Sequence, residues 1–424
     1  MKKLFALLLG MGTSTLLWAQ TTDKLTLSMA AMEQIFLKNN LELLAEEYNI
    51  ELAEAEIIQA RLWPNPEVNI EWAVFDTDDR VWFRNDNDAQ RVAEINQLIE
   101  TAGKRRKRVE VEQINKEITS LEFYEVLRLL KSDLRQNMGE YYFLQSKLDR
   151  YQRGIVPLKN LVKVYQSQFE KGNIARSELT RLKTLLISMN KNMLALKHER
   201  NEVAAELKDL LNIKEHIAIQ LEGNSDAIWL SRDISGLNPY DFLDAALENR
   251  LDFKAEQARL KLAEAGLKLA KSEAVPDLSI GALYDRRGAA QNDYWGLLVG
   301  FDIPLFDRNQ GVVKASKVEI LQAQIRQEQK QTEISNEVFL AFENLVATME
   351  VAEETDLQML QYLDEMLDGA LKNYQSHQLS LIEFIDYYES FLEGVEECLD
   401  LHKQVYTDLE KINFAIGQNY FNLY

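Results

Sequence analysis

Apolar and polar residues alternate with period two in two places along the chain, and each place predicts a pair of strands. In the later one, Trp295, Leu297, Val299, Phe301, Ile303 and Leu305 alternate with Tyr294, Gly296, Leu298, Gly300, Asp302 and Pro304. Just before it, Leu278, Ile280, Ala282 and Tyr284 alternate with Ser279, Gly281, Leu283 and Asp285, and the polar, Gly288-containing segment between them makes the pair a hairpin. An offset of 210 residues carries this pattern onto an earlier stretch without a gap: Leu52 to Ala55 match Leu262 to Ala265, Pro66 matches Pro276, and Val68, Ile70, Trp72 and Val74 match Leu278, Ile280, Ala282 and Tyr284. The strand after it is less regular, since Ala93, Ile95 and Ile99 share their face with Arg91 and Gln97. The strand pairs therefore fall at about 66–103 and about 276–305. Strands of roughly 9 to 12 residues suffice for a tilted membrane crossing, which takes about 9 to 11. Four strands cannot close a barrel alone, and open edges are not tolerated in lipid. If these strands meet lipid, several copies must share one barrel; alternation alone also fits a half-buried soluble β-domain.

Elsewhere the period lengthens to that of packed helices. Phe384, Tyr388, Phe391, Val395, Cys398, His402, Val405, Leu409, Ile412 and Ile416 follow spacings of four and three, and Leu179, Leu182, Leu186, Met189, Met193 and Leu196 do the same. Both runs are coiled-coil seams. From Lys104 to Phe169 no strong breaker intervenes before Gly154 and Pro157, and from Val312 to Tyr374 only Gly369 does, so each stretch can run to roughly 95 to 100 Å. Returning helices are predicted over Glu178–Asn212 and Glu383–Ile416, with further helices over Ser28–Leu62 and Tyr240–Glu273. Breaks are expected at Asn39-Asn40 and Asn249-Arg250. The predicted organisation is a first repeat over 20–212, a connecting loop over 213–239 and a second repeat over 240–424, with helical hairpin tips at about 170–178 and 375–383.

Residues 1–19 carry Lys2 and Lys3, a short apolar run and Leu17-Trp18-Ala19, the layout of a secretory signal peptide cut after Ala19. No later stretch approaches the 18 continuous apolar residues of a membrane-spanning helix. With a formal net charge of −20, the chain repels nucleic acid and anionic surfaces. A single cysteine, Cys398, excludes an intrachain disulfide. Cys398 and His402 are soft ligands, but both lie on a seam, where packing is the simpler reading. The four histidines, His198, His216, His377 and His402, stand far apart in sequence, and no catalytic, cofactor or metal constellation is evident. The basic run Lys104 to Arg108 lacks the glycine and hydroxyl residues of a phosphate loop; it reads as an interfacial collar where the strand returns from the membrane, or as a solvated helix start.

The order of helix, strand pair, long helix, hairpin and returning helix, occurring twice, together with Leu62-Trp63-Pro64-Asn65-Pro66-Glu67, Val275-Pro276-Asp277-Leu278-Ser279 and the run from Pro304 to Gly311, resembles the TolC family of outer-membrane efflux proteins. Gly103 to Arg108 and Asp307 to Gly311 resemble its cobalt-zinc-cadmium resistance branch. The resemblance covers essentially the whole chain after the leader. It implies a mainly α protein with transmembrane β: a homotrimer in which four strands per chain close a twelve-stranded barrel in the outer membrane of a Gram-negative bacterium, over a long coiled-coil tunnel through the periplasm. It implies no enzyme and no cofactor, but a passive conduit working with a periplasmic adaptor and an inner-membrane pump. Divalent metal cations lead as substrate, ahead of organic toxins and secreted proteins. A periplasmic coiled-coil scaffold without a pore is the alternative of another class.

The resemblance also implies that the two hairpin tips form the tunnel entrance and the adaptor contact, through Gly172, Asn173, His377 and Gln378. In the first tip, Phe169, the turn glycine Gly172 and the acid Glu178 match the family pattern; in the second, offset by 205, Tyr374 replaces Phe169 and Glu383 and Asp386 fall where the family rings its closed pore with carboxylates. Three copies of a carboxylate around an axis attract cations and repel one another when the pore shuts. His377 departs from the pattern by occupying the turn-glycine position, and Leu379 by standing where some relatives carry a basic latch. A histidine at the entrance is a candidate pH switch, loosening it under mildly acidic conditions.

Overall fold

The computed structural model describes residues 24–76, 80–86, 89–214, 217–222, 234, 236–287, 291–356 and 358–423; the leader, Gly223 to Ser225, Ser235 and Gly288 lie outside them. Helices α1 (Met29–Asn39), α2 (Leu41–Ala60), α3 (Lys104–Glu170), α4 (Arg176–Leu211), α5 (Pro239–Asn249), α6 (Leu251–Glu273), α7 (Gln310–Glu354), α8 (Met359–Gln375) and α9 (Leu381–Ile416) are interspersed, in runs, with strands β1 (Lys24–Leu27), β2 (Glu67–Trp72), β3 (Phe75–Asp76), β4 (Val81–Trp82), β5 (Arg91–Ile99), β6 (Ala218–Leu221), β7 (Leu278–Arg287) and β8 (Asn292–Phe301). Among the described residues no helix is long and apolar enough to cross a membrane.

The two pattern-predicted strand pairs join into one antiparallel sheet of order β2-β5-β7-β8. Its register puts Val68, Ile95, Ala282 and Leu297 in one cross-strand row and Ile70, Ala93, Tyr284 and Trp295 in the next. One face is thus apolar across all four strands. The other face, by the same period-two rule, holds Glu67, Glu71, Glu94 and Asp285. Gln97, out of place on the apolar face by sequence, donates its amide to the Pro64 carbonyl at 2.9 Å. β8 is shorter than the alternation predicts. It ends at Phe301, and Pro304 beyond it has no N–H with which to continue a ladder.

The helices form a layer with the same order as the strands. In the half nearest the sheet, α2 packs on α3, α3 on α6 and α6 on α7. In the far half α4 packs on α3, α3 on α9 and α9 on α8. All ten residues of the long α9 seam are buried. On α4 the seam passes through Leu179, Leu182, Leu185, Met189 and Met193, with Leu185 taking the buried place expected of Leu186.

The long first helix is as expected, while one expectation about helix continuity and one about the connecting loop are corrected. Pro157 does not end α3, which runs unbroken for 67 residues, roughly 100 Å; the lost N–H leaves only the Arg153 carbonyl without its helical donor, and Ile155, Leu158 and Leu161 are buried on either side. The predicted helix from Val312 to Tyr374 is two helices, parted between Glu354 and Met359, where Thr355 turns extended. The loop 213–239 contains β6, paired in parallel with β1.

The breaks at Asn40 and Arg250 fall where expected, and each break residue reaches across to a returning helix. Asn40 Nδ2 donates to the Leu210 carbonyl at the end of α4, 2.9 Å away. Arg250 Nη1 donates to the Ala415 carbonyl at the end of α9, 3.2 Å away. These carbonyls are among the four that a helix C-terminus leaves without intrahelical donors. Arg250 is itself buried, bound to Asp252 at 2.7 Å and Glu337 at 2.5 Å.

Candidate functional site

Both hairpin tips are built on one turn. In the first, Gly172 N–H donates to the Phe169 carbonyl at 2.9 Å and Asn173 N–H to the Gln168 carbonyl at 2.9 Å. In the second, His377 N–H donates to the Tyr374 carbonyl at 3.1 Å and Gln378 N–H to the Asn373 carbonyl at 2.9 Å, a correspondence of 205 residues. Gly172 has φ +75° and His377 φ +59°. The departure of His377 from the glycine pattern leaves the turn intact, since histidine tolerates the left-handed region better than most side chains.

What differs is the helix start that follows. Ser380 caps α9: its hydroxyl accepts from Glu383 N–H at 3.3 Å, while the Glu383 carboxylate accepts from Ser380 N–H at 2.8 Å. This is a full capping box. The Ser380 hydroxyl first, then its backbone N–H, hold the Glu383 carboxyl below its ordinary pKa. Glu178 occupies the same third position of α4, but Ala175 at its cap offers no side-chain bond. Glu383 is exposed yet occupied by the cap, whereas Asp386, one turn on, is exposed and projects from α9. At the position matching Asp386 the first hairpin carries Arg181.

Tyr374 has a different environment from a pore-lining side chain. It is buried and stacked between Tyr165, 5.8 Å between centroids, and Phe384, at 4.3 Å. Burial, then Tyr165 and the charge of Glu178, push its phenol well above the usual range. The physical reason is apolar packing: α8 and α9 are joined by an aromatic stack, which fixes the tip. Glu178 thereby sits within electrostatic reach of the Tyr374 hydroxyl. Leu379, in the place of a basic latch, is a partly buried residue packed on the core. Sequence reading missed a different ionic contact, in which Arg150 and Arg153 of α3 bind Asp364 of α8 at 2.7 and 3.1 Å. The signal was absent because the partners lie 214 and 211 residues apart.

At the opposite end of α3 the basic run is mostly consumed internally. Lys104 is buried and bonded to Asp277 at 2.8 Å, Arg108 binds Glu100 at 2.6 Å, and Arg105 lies 4.0 Å over the Trp63 ring. Only Arg106 of the five is exposed, so the run braces the junction of sheet and helices more than it forms a collar. Cys398 and His402 are buried side by side, Sγ to Nε2 3.5 Å, inside the α9 seam. Among the described residues no group of three or more His, Cys, Asp or Glu side chains could hold a metal ion.

A four-stranded sheet with one apolar face is thus continued by a layer of long helices that ends in two matched hairpin tips. The family model for outer membrane efflux proteins matches residues 33–212 and 242–382. The chain belongs to the outer membrane efflux protein family. That family is one of outer-membrane ducts rather than of enzymes. No curated protein matches it by sequence. Among solved structures, CusC, described in terms of folding and transmembrane channel formation, aligns with a TM-score of 0.71 at 18% identity, covering 92% of both chains. A membrane protein from Pseudomonas aeruginosa aligns with a TM-score of 0.72 at 15% identity over 94% of this chain and 92% of its own. The open state of the MtrE outer membrane channel of Neisseria gonorrhoeae gives 0.70 at 14% identity over 92% and 89%. At such identities these likenesses concern the fold.

Proposed function

We propose that this efflux protein is the outer-membrane duct of a tripartite export system, in which three copies close one twelve-stranded barrel and one helical tunnel. The observation that carries this reading is that the layer is open at the same two places in its sheet and in its helices. β2 and α2 form one edge, β8 and α7 the other. Each open edge is apolar: Leu41, Leu44, Tyr48 and Leu52 make an exposed stripe on α2, and Val318, Leu321 and Ile325 one on α7. Joining β8 and α7 of one copy to β2 and α2 of the next is a head-to-tail contact, which closes into a ring when the rotation allows. Closure removes the strand edges that lipid does not tolerate, and turns the apolar sheet face, with Trp72, Ile70, Trp295, Leu297 and Val299 exposed, toward the outer membrane.

The lumen then receives Glu67, Glu71, Glu94 and Asp285, which favours cations as cargo; divalent metal cations are the preferred substrate, small organic toxins come next and secreted proteins last. At the far end, Asp386 and Glu178 are the gate carboxylates, Glu383 acts as cap, and Tyr374 as the support of the gate helices. Gly172, Asn173, His377 and Gln378 present the turns to a periplasmic adaptor, and the energy comes from an inner-membrane pump. A deletion strain challenged with zinc, cobalt, cadmium and copper and, in parallel, with dyes and detergents tests the cargo. Sensitisation to metals is expected; sensitisation to the organic compounds alone would overturn the metal assignment while leaving the duct.

A further inference from the structure

Between the sheet and the helix layer the chain makes two exposed apolar crossings that the barrel and tunnel do not account for. One leads from α2 to β2 and carries Leu62 and Trp63, 53% and 55% exposed; the other leads from β8 to α7 and carries Ile303, Leu305 and Phe306, the last 90% exposed. They lie at the two opposite open edges, at the same height of the layer. Gln97 ties Pro64 to the base of β5, and Asn309 ties the second crossing to the Ala270 carbonyl at 2.7 Å. Neither crossing can extend the backbone ladder far, because Pro64, Pro66 and Pro304 lack the N–H. Any joint here must be made by side chains.

The first crossing is shaped to receive one. Leu62, Trp63 and Pro64 line an open groove of about 320 Å³ together with Glu56, Gln59, Glu100, Arg108 and Glu112. Trp63 is held in place by the Arg105 guanidinium over its ring, itself anchored to the Arg61 carbonyl at 3.2 Å; a fixed, half-exposed tryptophan is the kind of residue that dominates interfaces. Of the groove carboxylates, Glu100 is taken by Arg108, whereas Glu56 has no basic partner among the described residues. The second crossing supplies the complement, an exposed phenylalanine followed two residues later by exposed Arg308.

We infer that the Leu305–Arg308 segment of one copy docks in the Leu62–Pro64 groove of the next, with Phe306 on Trp63 and Arg308 facing Glu56. This rests on the ring closure proposed above, since a joint of β8 to β2 above it and of α7 to α2 below it brings the two crossings together. The occupant is a second copy of this chain; lipid of the inner leaflet is the competing occupant. The joint locks the barrel to the tunnel at the level where neither ladder nor coiled coil can.

The test uses the full chain with Cys398→Ala, extracted in mild detergent. A Leu62→Cys, Phe306→Cys pair treated with a short bis-maleimide is expected to give covalently linked trimers, with neither single variant doing so. Arg308→Glu is expected to lower the temperature at which the trimer dissociates, and Glu56→Arg to restore it when combined. Linkage with charge-swap rescue supports the docking. A trimer of parental stability in which the pair does not link, or in which Phe306→Trp adds to the parent's fluorescence a component that brominated acyl chains quench, overturns the docking and leaves the shared barrel standing. Chains that sediment as monomers in every variant and in the parent overturn the shared barrel and the docking with it.

Discussion

Replacing Arg250 with alanine removes a buried charge that ties two helix ends together. The parent side chain makes four hydrogen bonds: to Asp252 at 3.0 and 2.7 Å, to Glu337 at 2.5 Å and to the Ala415 carbonyl at 3.2 Å. It is 4% exposed, and breaking a buried pair from one side costs about 3–5 kcal/mol because the abandoned carboxylate stays desolvated. For a chain of this size that loss lowers the unfolding midpoint by about 4–6 °C, taking roughly 2 cal/mol/K of unfolding entropy per residue. The effect also has a pH signature. Burial alone would raise the Asp252 pKa, but the bonds and charge of Arg250, with Arg128 and Lys330 behind it, bring it below the ordinary carboxylate value. A depressed folded-state pKa contributes stability above the unfolded value and loses it as the pH falls through the folded one. The gap between parent and variant should therefore be full at neutral pH and shrink in acid. Circular dichroism melts at one scan rate, in one detergent, at several pH values, measure it. A neutral-pH gap under about 1 °C, or one that widens in acid, would mean that Arg250 does not hold Asp252 ionised in the folded chain.

Other expectations concern the tips and the close helix contacts. Gly139→Ala drives a methyl into the ring of Tyr406, whose hydroxyl is held by the Arg135 carbonyl at 2.8 Å; overpacking of this kind costs about 1–3 kcal/mol, read as a lower melting midpoint. His377→Gly relieves a left-handed residue and should stabilise the tip by about 1 kcal/mol, whereas His377→Val should destabilise it, both seen by protease protection of the hairpin. His377→Gln replaces the imidazole at the tip, so any pH dependence of pore conductance that survives in it belongs to other groups. Asp386→Asn should reduce cation over anion selectivity in planar bilayers more than Glu383→Gln does, because Glu383 is engaged by Ser380. The same cap, with its depressed pKa, should fray the start of α9 as the pH falls below the usual carboxylate range.

The parts of this architecture that a sequence shows are those with a local cause. Period two predicts β7 and most of β8 because each strand buries or exposes whole faces, and the α9 seam is read residue by residue because ten packed positions repeat without interruption. The breaks at Asn40 and Arg250 are visible as breakers, but not their reach to Leu210 and Ala415. Other features depend on distant partners. The gap between α7 and α8 contains neither glycine nor proline, only Thr355, Asp356, Leu357 and Gln358, so nothing in the chain announces it. The short β1 and β6 exist through each other, and four residues carry too little pattern to be read. Tyr374 shows the limit most clearly: an aromatic at a tip has one identity in sequence, and only its position between Tyr165 and Phe384 makes it a brace. Lys104 is similar, since a lysine at the head of a basic run reads as solvated until Asp277 is found beside it.

On the reading proposed above, the open layer closes only with further copies of itself. Light scattering on protein extracted from membranes in mild detergent, with the detergent contribution subtracted, tests it most directly. A mass of three chains, recovered from the outer-membrane fraction, is predicted by two apolar edges that match head to tail. A soluble monomer or dimer would mean that β2 and β8 never meet across copies and that the apolar sheet face never meets lipid, and the duct, with its gate carboxylates, would have to be given up.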